Sequence, residues 1–438
     1  MPKMTIAWLI MYWGGIIASF VNPVYGLVVY LFEYYLRPSL HWWGKGIPDW
    51  RFSLIVSLVA LATYFMNKSN LPEQRIKDNP ALKWILAFGL NMVVVHVIAV
   101  NPAENLDSII TFWKLIALYG LIIAVLRTEW AFNAFAAMHI AGAGWWGWEA
   151  YIDPERDAGR LLNVGSSDTL NDNQAAGHLL TVLPFVMLFA FFVKDKRLRG
   201  LAIVAAPLVV NTFILCNSRG AMVGMVVALV CTLFLAKKGH RRRMVYAAAA
   251  VVFMFFMLAD QQFITRQQST VNYEQESTAQ NRISNWGAGL ELLKDHPFGT
   301  GGYGFNHLSP IYAANTAGER STGRISPHNT LILISSEWGI QGFIIFVGFI
   351  GATFKMLHRV RRETADQATY YRSLAIQIGL IGTLAASIFS DRLYGESIYW
   401  LCALAVVSYR IHQNSAQTHV EAAQPAPSGF RTAEAGAA

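Results

Sequence analysis

Charged residues are scarce in this sequence. Asp, Glu, Lys and Arg make up 14% of its 438 residues, whereas a soluble globular domain carries about 25%. The deficit is concentrated in long apolar runs, three of which extend from Leu201 to Cys216, from Gly220 to Ala236 and from Met244 to Ala259. Each is close to the roughly 20 apolar residues that cross a hydrocarbon core. The sequence therefore predicts a membrane protein with many spans.

Cysteine is also rare. The sequence has three cysteines, which lie in or at the edge of apolar runs: Cys216, Cys231 and Cys402. An odd number in such positions argues against a disulfide framework or a cysteine metal cluster. The histidines at 296, 307 and 328 lack the short spacing of metal ligands. We therefore expect no metal site and no cofactor.

A nucleotide-binding motif is missing as well. The run Gly301–Gly304 has glycines but no Lys-Ser/Thr after them, so it is better interpreted as a turn than as a phosphate-binding loop. We find no soluble catalytic domain in the sequence. A substrate that is activated elsewhere, and that already has a leaving group, would suit such a chain.

The formal net charge is +8, but the basic residues do not form a patch for nucleic acid. They cluster in short loops between apolar runs, at 194–199, 237–243 and 355–362, and again at Arg410. Cytoplasmic loops of membrane proteins are enriched in Lys and Arg, and these four positions fall on one side of the predicted bundle. We therefore place that side and the C terminus in the cytoplasm, and expect membrane lipids rather than nucleic acid as partners.

The predicted fold class is all-α, a polytopic transmembrane helical bundle with 12 or 13 spans. The count depends on the first two runs, which are short and joined at Pro23. One later span is predicted at Leu115–Leu126. We divide the chain into an N-terminal transmembrane bundle (1–259), one large periplasmic loop with short helices (260–327), C-terminal transmembrane helices (328–411) and a disordered cytoplasmic tail (412–438).

The large loop contains a predicted amphipathic helix after Ser277. Four apolar residues recur at helical spacing and share one face: Ile283, Trp286, Leu290 and Leu293. Such a helix is expected to lie on the membrane surface. Arg282 falls at the rim of this face and would point along that surface. The alternative is an ordinary surface charge on a helix.

Arg219 separates two apolar runs that would otherwise be almost continuous. A charge near membrane depth needs a partner or a role, and a guanidinium fork matches a phosphate bidentately. The neighbouring Gly220 would let a bulky ligand approach the backbone. The alternative is an arginine whose side chain extends to the lipid headgroups.

His328 precedes the long apolar run that starts at Thr330. We predict that Ser326 caps this helix and that Pro327 takes its first position, which puts His328 in the first turn at the external interface. The positive end of the helix disfavours imidazolium, and a neutral His accepts a proton from a hydroxyl. The alternative is a capping or interfacial histidine. Glu337, inside the same run, is a carboxylate that needs a partner.

Two stretches resemble the O-antigen ligase and polymerase superfamily. The first is Asn217–Ala221; the second extends from Pro297 to Gly342 and has ten residues between His328 and Gly339. The resemblance is strongest across residues 175–355. Other residues are similar to a narrower branch, the O-glycosylation ligases found beside exosortase systems: Pro23, Gly26, Tyr34, Arg37, Trp50 and 172–175.

The resemblance implies a metal-independent glycosyltransferase in the bacterial inner membrane, with an active site that faces the periplasm. Its donor would be a glycan on undecaprenyl diphosphate, and its acceptor a hydroxyl on a lipid, a protein or another sugar. At the matching positions, Arg219 and Arg282 would bind the diphosphate and His328 would act as the base. Further candidates for substrate binding are Asn329, Arg266, Arg320 and Arg324.

Two other functions remain open at this point. A glycan polymerase of the same superfamily would use similar donor chemistry with a second lipid-linked glycan as acceptor. A transporter would instead need ionisable residues near the middle of the membrane. The candidate residues of this sequence lie toward one face, and Glu33 and Glu337 are the few exceptions.

Overall fold

The computed structural model is an all-α helical bundle, as predicted. It describes residues 2–48, 50–73, 79–157, 159–162, 164–169, 171–259, 261, 263–265, 277–317 and 323–423. The helices before the large loop are α1 (Lys3–Ser19), α2 (Val24–Tyr35), α3 (Phe52–Asn67), α4 (Leu82–Val95), α5 (Pro102–Val125), α6 (Glu129–Ile152), α7 (Asp172–Phe192), α8 (Lys196–Leu215), α9 (Arg219–Leu235) and α10 (Lys238–Leu258).

The large loop contains α11 (Ser277–Asp295) and α12 (Gly304–Ala317), which confirms the predicted short helices. The bundle continues with α13 (Thr330–Glu363), α14 (Gln367–Ser387) and α15 (Glu396–Ala423). Between α6 and α7, β1 (Arg156–Asp157) pairs antiparallel with β2 (Arg160–Leu161).

Five helices in the described ranges are long and apolar enough to cross a membrane: Phe52–Asn70, Pro102–Val125, Asp172–Phe192, Lys196–Leu215 and Thr330–Glu363. Two shorter apolar helices lie at Leu82–Ile98 and Arg219–Leu235. Every predicted apolar run coincides with a helix. The total of 12 or 13 spans stays a prediction.

Two predicted boundaries are wrong. Helix α5 begins at Pro102 rather than near Leu115, because the side chain of Asn101 accepts a hydrogen bond from the Glu104 amide and caps the helix there. The polar residues of its first turns mask the helix in a search for apolar runs. At the other end of the chain, α15 continues to Ala423, so residues 412–423 are helical rather than disordered. Residues 424–438 lie outside the described part.

Close helix packing forms the centre of the bundle. Helix α14 packs against α7 and α9, α6 packs against α8 and α2, and α13 packs against α4. A Cβ atom added at Gly224 of α9 would lie 2.5 Å from the carbonyl oxygen of Gly382 in α14. Small residues allow such close approach between helices in a membrane.

Helix α13 is broken at Gly339, where φ is 75° and ψ is 175°. The free backbone groups at the break bind the segment that follows α11. The Gly301 amide donates to the carbonyl of Glu337 at 2.9 Å, and the Ile340 amide donates to the carbonyl of Pro297 at 3.0 Å. Only glycine adopts this backbone conformation at low cost. The break thus joins two distant segments that both carry the superfamily resemblance.

Candidate active site

The segments that carry the predicted site residues meet at one short loop, residues 388–395, between α14 and α15. A Cβ atom added at Gly220 would lie 2.7 Å from the Cβ of Phe389, so only glycine fits there. The Trp286 ring lies 6.1 Å from the Phe389 ring, centroid to centroid. The Trp286 indole also donates to the carbonyl of Pro327 at 3.1 Å. Gly220 and Trp286 therefore both lie against Phe389, and Pro327, next to His328, contacts Trp286.

Arg219 is the first residue of α9, and Ser218 caps this helix by accepting a hydrogen bond from the Ala221 amide. The Ser218 hydroxyl donates to the side-chain oxygen of Asn173 in the first turn of α7 at 2.7 Å. The N-terminal ends of α7 and α9 are therefore adjacent. Helix N-termini carry partial positive charge and favour anions. Half-buried Arg219 adds a full positive charge at this position.

Arg282 lies one turn before Trp286 on α11, and it is half-buried. The predicted apolar face of this helix is divided. Of its four residues, Ile283 and Leu290 are exposed, whereas Trp286 and Leu293 are half-buried. Helix α11 packs against α12 and α13. The exposed pair is available for lipid contact, and its position on a membrane surface stays a prediction.

His328 lies outside helix α13, so the predicted cap was wrong. Asn329, not Ser326, is the N-cap, because its side-chain oxygen accepts hydrogen bonds from the Leu331 and Ile332 amides. The backbone of His328 is left-handed, with φ of 49°, and its side chain is 54% exposed. The imidazole is therefore accessible just before the helix N-terminus.

Asp391 is the partner of His328 that the sequence analysis missed. One carboxylate oxygen lies 3.7 Å from Nδ1 of His328. The other accepts the Asn329 amide at 3.1 Å, and the Ser326 hydroxyl also donates to the carboxylate. Burial raises the pKa of Asp391 above its usual range, although Ser326 and His328 act in the opposite direction. A distance of 3.7 Å is too long for a hydrogen bond but is within reach of an ion pair.

Arg392 fixes the position of the same loop. Its side chain is 2% exposed; it donates to the carbonyl of Asp168 at 2.7 Å and lies 3.7 Å from the Asp168 carboxylate. Its backbone amide donates to the Thr330 hydroxyl at 2.8 Å. A buried arginine needs a paired carboxylate. The loop is thus connected both to the start of α13 and to the segment before α7.

Asp168 also ends a buried polar chain that the sequence analysis did not find. The Tyr34 hydroxyl donates to Asp168 and lies 3.3 Å from His178. The Tyr35 hydroxyl bonds to Nε2 of His178 at 2.7 Å and to Nδ1 of His139 at 2.6 Å. These residues come from α2, α6 and α7. The chain connects the interior of the bundle to the ion pair with Arg392.

A cavity of about 580 Å³ lies next to the loop. Side chains from distant segments line it, among them Lys114, Asp168, Ser326, Glu337, Asp391 and Arg392. A volume of this size is typical of small-molecule sites. Asp391, the residue that faces the His328 imidazole, is thus part of the cavity wall.

The remaining predicted substrate-binding residues either contact other parts of the protein or lie outside the described residues. Asn329 is buried and its oxygen caps α13. Arg324 lies 3.8 Å from the carboxylate of Glu104 at the start of α5. Arg266 and Arg320 lie outside the described residues. Substrate binding by these residues stays a prediction.

Part of the chain is similar to a known protein family. The family model for O-antigen ligases matches residues 205–347, about one third of the chain. This match supports the resemblance to the O-antigen ligase superfamily across residues 205–347. No curated protein matches the chain. The matched region is thus similar to O-antigen ligases, a family of membrane enzymes. The narrower branch stays a prediction.

The region that matches the O-antigen ligase model includes Arg219, Arg282, His328 and the break at Gly339. It ends before Asp391 and Arg392, which lie in the 388–395 loop. This family acts on lipid-linked glycans and their acceptors. Within the described ranges, no group of three or more His, Cys, Asp or Glu side chains has the arrangement of a metal site.

Proposed function

We propose that this O-antigen ligase-like protein transfers a glycan from undecaprenyl diphosphate to an acceptor hydroxyl on the periplasmic face of the inner membrane. The proposal depends on one observation: the segments of Arg219, Arg282 and His328 all adjoin the 388–395 loop. This shared contact with one loop supports the proposal that one donor and one acceptor contact the three residues together.

Arg219 and Arg282 would bind the diphosphate of the donor. When the bond between the anomeric carbon and the phosphate oxygen breaks, negative charge increases on the leaving diphosphate. Guanidinium groups held in place before the reaction stabilise that charge, and a planar fork contacts two phosphate oxygens at once. The N-terminal end of α9 beside Arg219 adds to the attraction for an anion.

His328 would remove the proton from the acceptor hydroxyl. The oxygen then bonds to the anomeric carbon, the proton passes to the imidazole, and the diphosphate leaves with the electron pair of the broken bond. With Nδ1 facing Asp391, Nε2 is the nitrogen available to the hydroxyl. The imidazolium that forms would be stabilised by the Asp391 carboxylate. Hydrogen bonds of this kind are often long before substrate binds.

The proposed orientation puts the 388–395 loop on the periplasmic side and the basic loops in the cytoplasm. Helix α13 begins at Thr330 beside this loop, and its other end has Arg361 and Arg362 in the last turn. The two ends of one helix thus separate the candidate site from a basic cluster. Basic residues favour the cytoplasmic side of a membrane.

The direct test uses the purified chain with an undecaprenyl diphosphate glycan and a panel of lipid, protein and sugar acceptors. Release of undecaprenyl diphosphate together with a glycosylated acceptor supports the proposal. If only longer lipid-linked glycan forms, the protein is a polymerase. If the donor is not consumed under any condition, the transferase proposal is wrong.

A conservative variant tests the role of Arg219. Arg219→Lys keeps the positive charge but loses the bidentate fork, so we expect turnover to fall by about tenfold or more. Arg197→Lys, an exposed residue at the opposite end of the bundle, is the matched control and should leave turnover unchanged. Unchanged kinetics for Arg219→Lys would refute the diphosphate-binding role.

A further inference from the structure

A second cavity lies at the opposite end of the bundle from the candidate active site. Its volume is about 490 Å³, and it lies between α4, α13 and α15. Three basic side chains line it, Lys83, Lys355 and Arg359. We call this cavity the basic groove. The transferase chemistry proposed above does not use it.

The basic groove has few acidic neighbours. Arg359 is paired with Glu363, with 2.9 Å between Nε and the carboxylate, and Glu363 also lies 3.7 Å from His412. Lys355 makes no ion pair with another described residue, and Lys83 lies 5.6 Å from the centre of the Trp84 ring. Two lysines are therefore available for an anion that enters the groove.

The apolar side of the groove is open because small residues form it. Gly348 allows the Trp84 ring to approach, since an added Cβ would lie 2.5 Å from that ring. A Cβ added at Gly351 would meet no atom within 4 Å, so the space beside it is empty. The groove thus combines a cationic end with an unfilled apolar wall.

An exposed apolar stripe on α13 leads into the basic groove. Ile340, Ile344 and Val347 are exposed, and Gly351 and Lys355 continue the same spacing of three to four residues. Such spacing puts them on one face of a helix, with the break at Gly339 just before Ile340. Aromatic residues that flank the groove, Trp84 and Tyr409, are typical of the boundary between lipid and water.

We propose that the basic groove binds one anionic phospholipid. The phosphate would lie between Lys83, Lys355 and Arg359, and an acyl chain would follow the stripe from Gly351 toward Ile344. Basic pockets between membrane helices bind anionic lipid headgroups. The apolar stripe favours a lipid over a free phosphate ion, because the ion has no acyl chain to pack against the stripe.

The test measures binding of phosphatidylglycerol to the full chain in detergent by native mass spectrometry. We expect one tightly bound lipid, weaker binding of phosphatidylcholine, and no competition from inorganic phosphate. The triple variant Lys83→Gln, Lys355→Gln, Arg359→Gln should lower the affinity by about tenfold or more. The control variant Lys194→Gln, Lys196→Gln, Arg197→Gln removes as much charge from an exposed cluster at the start of α8, at the same end, and should bind like the wild type.

Gly351→Leu provides an independent test that changes no charge. The leucine side chain would fill the empty space beside Gly351, so we expect the bound lipid to be lost while the protein keeps its unfolding temperature in lipid-free detergent. Equal losses in the two triple variants would show general attraction to anionic lipid and overturn the proposal. Unaltered binding by Gly351→Leu, or displacement of the lipid by inorganic phosphate, would also overturn it.

Discussion

Nδ1 of His328 lies 3.7 Å from the carboxylate of Asp391, a residue of the 388–395 loop. This contact brings the residue before α13 and the loop before α15 together. The same carboxylate accepts the Asn329 amide. Asp391 therefore positions both the imidazole and the start of the helix that follows it.

Asp391→Asn should reduce turnover more than substrate affinity. An amide keeps similar size but does not stabilise an imidazolium, so we expect kcat to fall by about a hundredfold or more, the range of acid–base catalysis. The donor KM should change little. Steady-state kinetics as a function of pH check this, and Asp391→Glu should recover part of the activity. A variant whose KM rises while kcat stays constant would indicate a binding role instead.

The raised pKa of Asp391 predicts a pH dependence of stability. The folded state holds the Asp391 proton more tightly than the unfolded state, whose pKa is about 3.9. The resulting stabilisation is full below that pKa and is lost as pH rises through the folded pKa. The wild type should therefore gain stability relative to Asp391→Asn as pH falls. Unfolding temperatures across pH measure this difference, and Asp107→Asn, an exposed carboxylate on α5, should show no such trend.

The buried pair of Arg392 and Asp168 predicts a large loss of stability. Asp168→Ala leaves the guanidinium of Arg392 buried without its carboxylate, which costs about 3–5 kcal/mol of unfolding free energy. The double variant Asp168→Asn, Arg392→Gln should lose less unfolding free energy than the single variants Asp168→Asn and Arg392→Gln lose when their losses are added. Unfolding in mixed detergents measures these values. The exposed pair Glu291–Lys294 is the control, and Glu291→Gln should change stability by about 0.5 kcal/mol or less.

Gly142 makes room for the buried polar chain. A Cβ at this position would lie 2.1 Å from the Tyr35 ring, so Gly142→Ala should displace Tyr35 from His139 and His178 and cost about 1–3 kcal/mol. Gly177→Ala on α7 is the matched control, because its Cβ meets nothing within 4 Å. That change should leave stability equal or slightly higher, since Ala favours a helix by about 0.5–1 kcal/mol over Gly. Equal effects of the two variants would contradict the packing seen at Tyr35.

The sequence predicted the fold better than it predicted the site. Apolar runs located the helices because membrane burial selects apolar residues along the whole length of a span. The start of α5 was missed because Glu104 and Asp107, in its first turns, interrupt the run of apolar residues by which a membrane helix is recognised. The extension of α15 to Ala423 was missed because its last residues are polar.

The candidate site was only partly predictable for a different reason. Arg219 and His328 stand out locally, as a charge between apolar runs and as a histidine before one. Asp391 and Arg392 are also charges between two apolar runs, since they lie between α14 and α15. Their roles, however, depend on partners that are far away in the sequence. Asp168 lies 224 residues from Arg392, and no local pattern indicates such a pairing.

The most direct test of the proposed chemistry is a single-turnover measurement with His328→Ala and an undecaprenyl diphosphate glycan. The His328 side chain is half-exposed and lies outside helix α13, so the variant should fold normally and bind donor, yet transfer glycan about a hundredfold more slowly or worse. His358→Ala, at the other end of α13, should transfer at the wild-type rate. Transfer by His328→Ala at the wild-type rate would show that this imidazole is not the base.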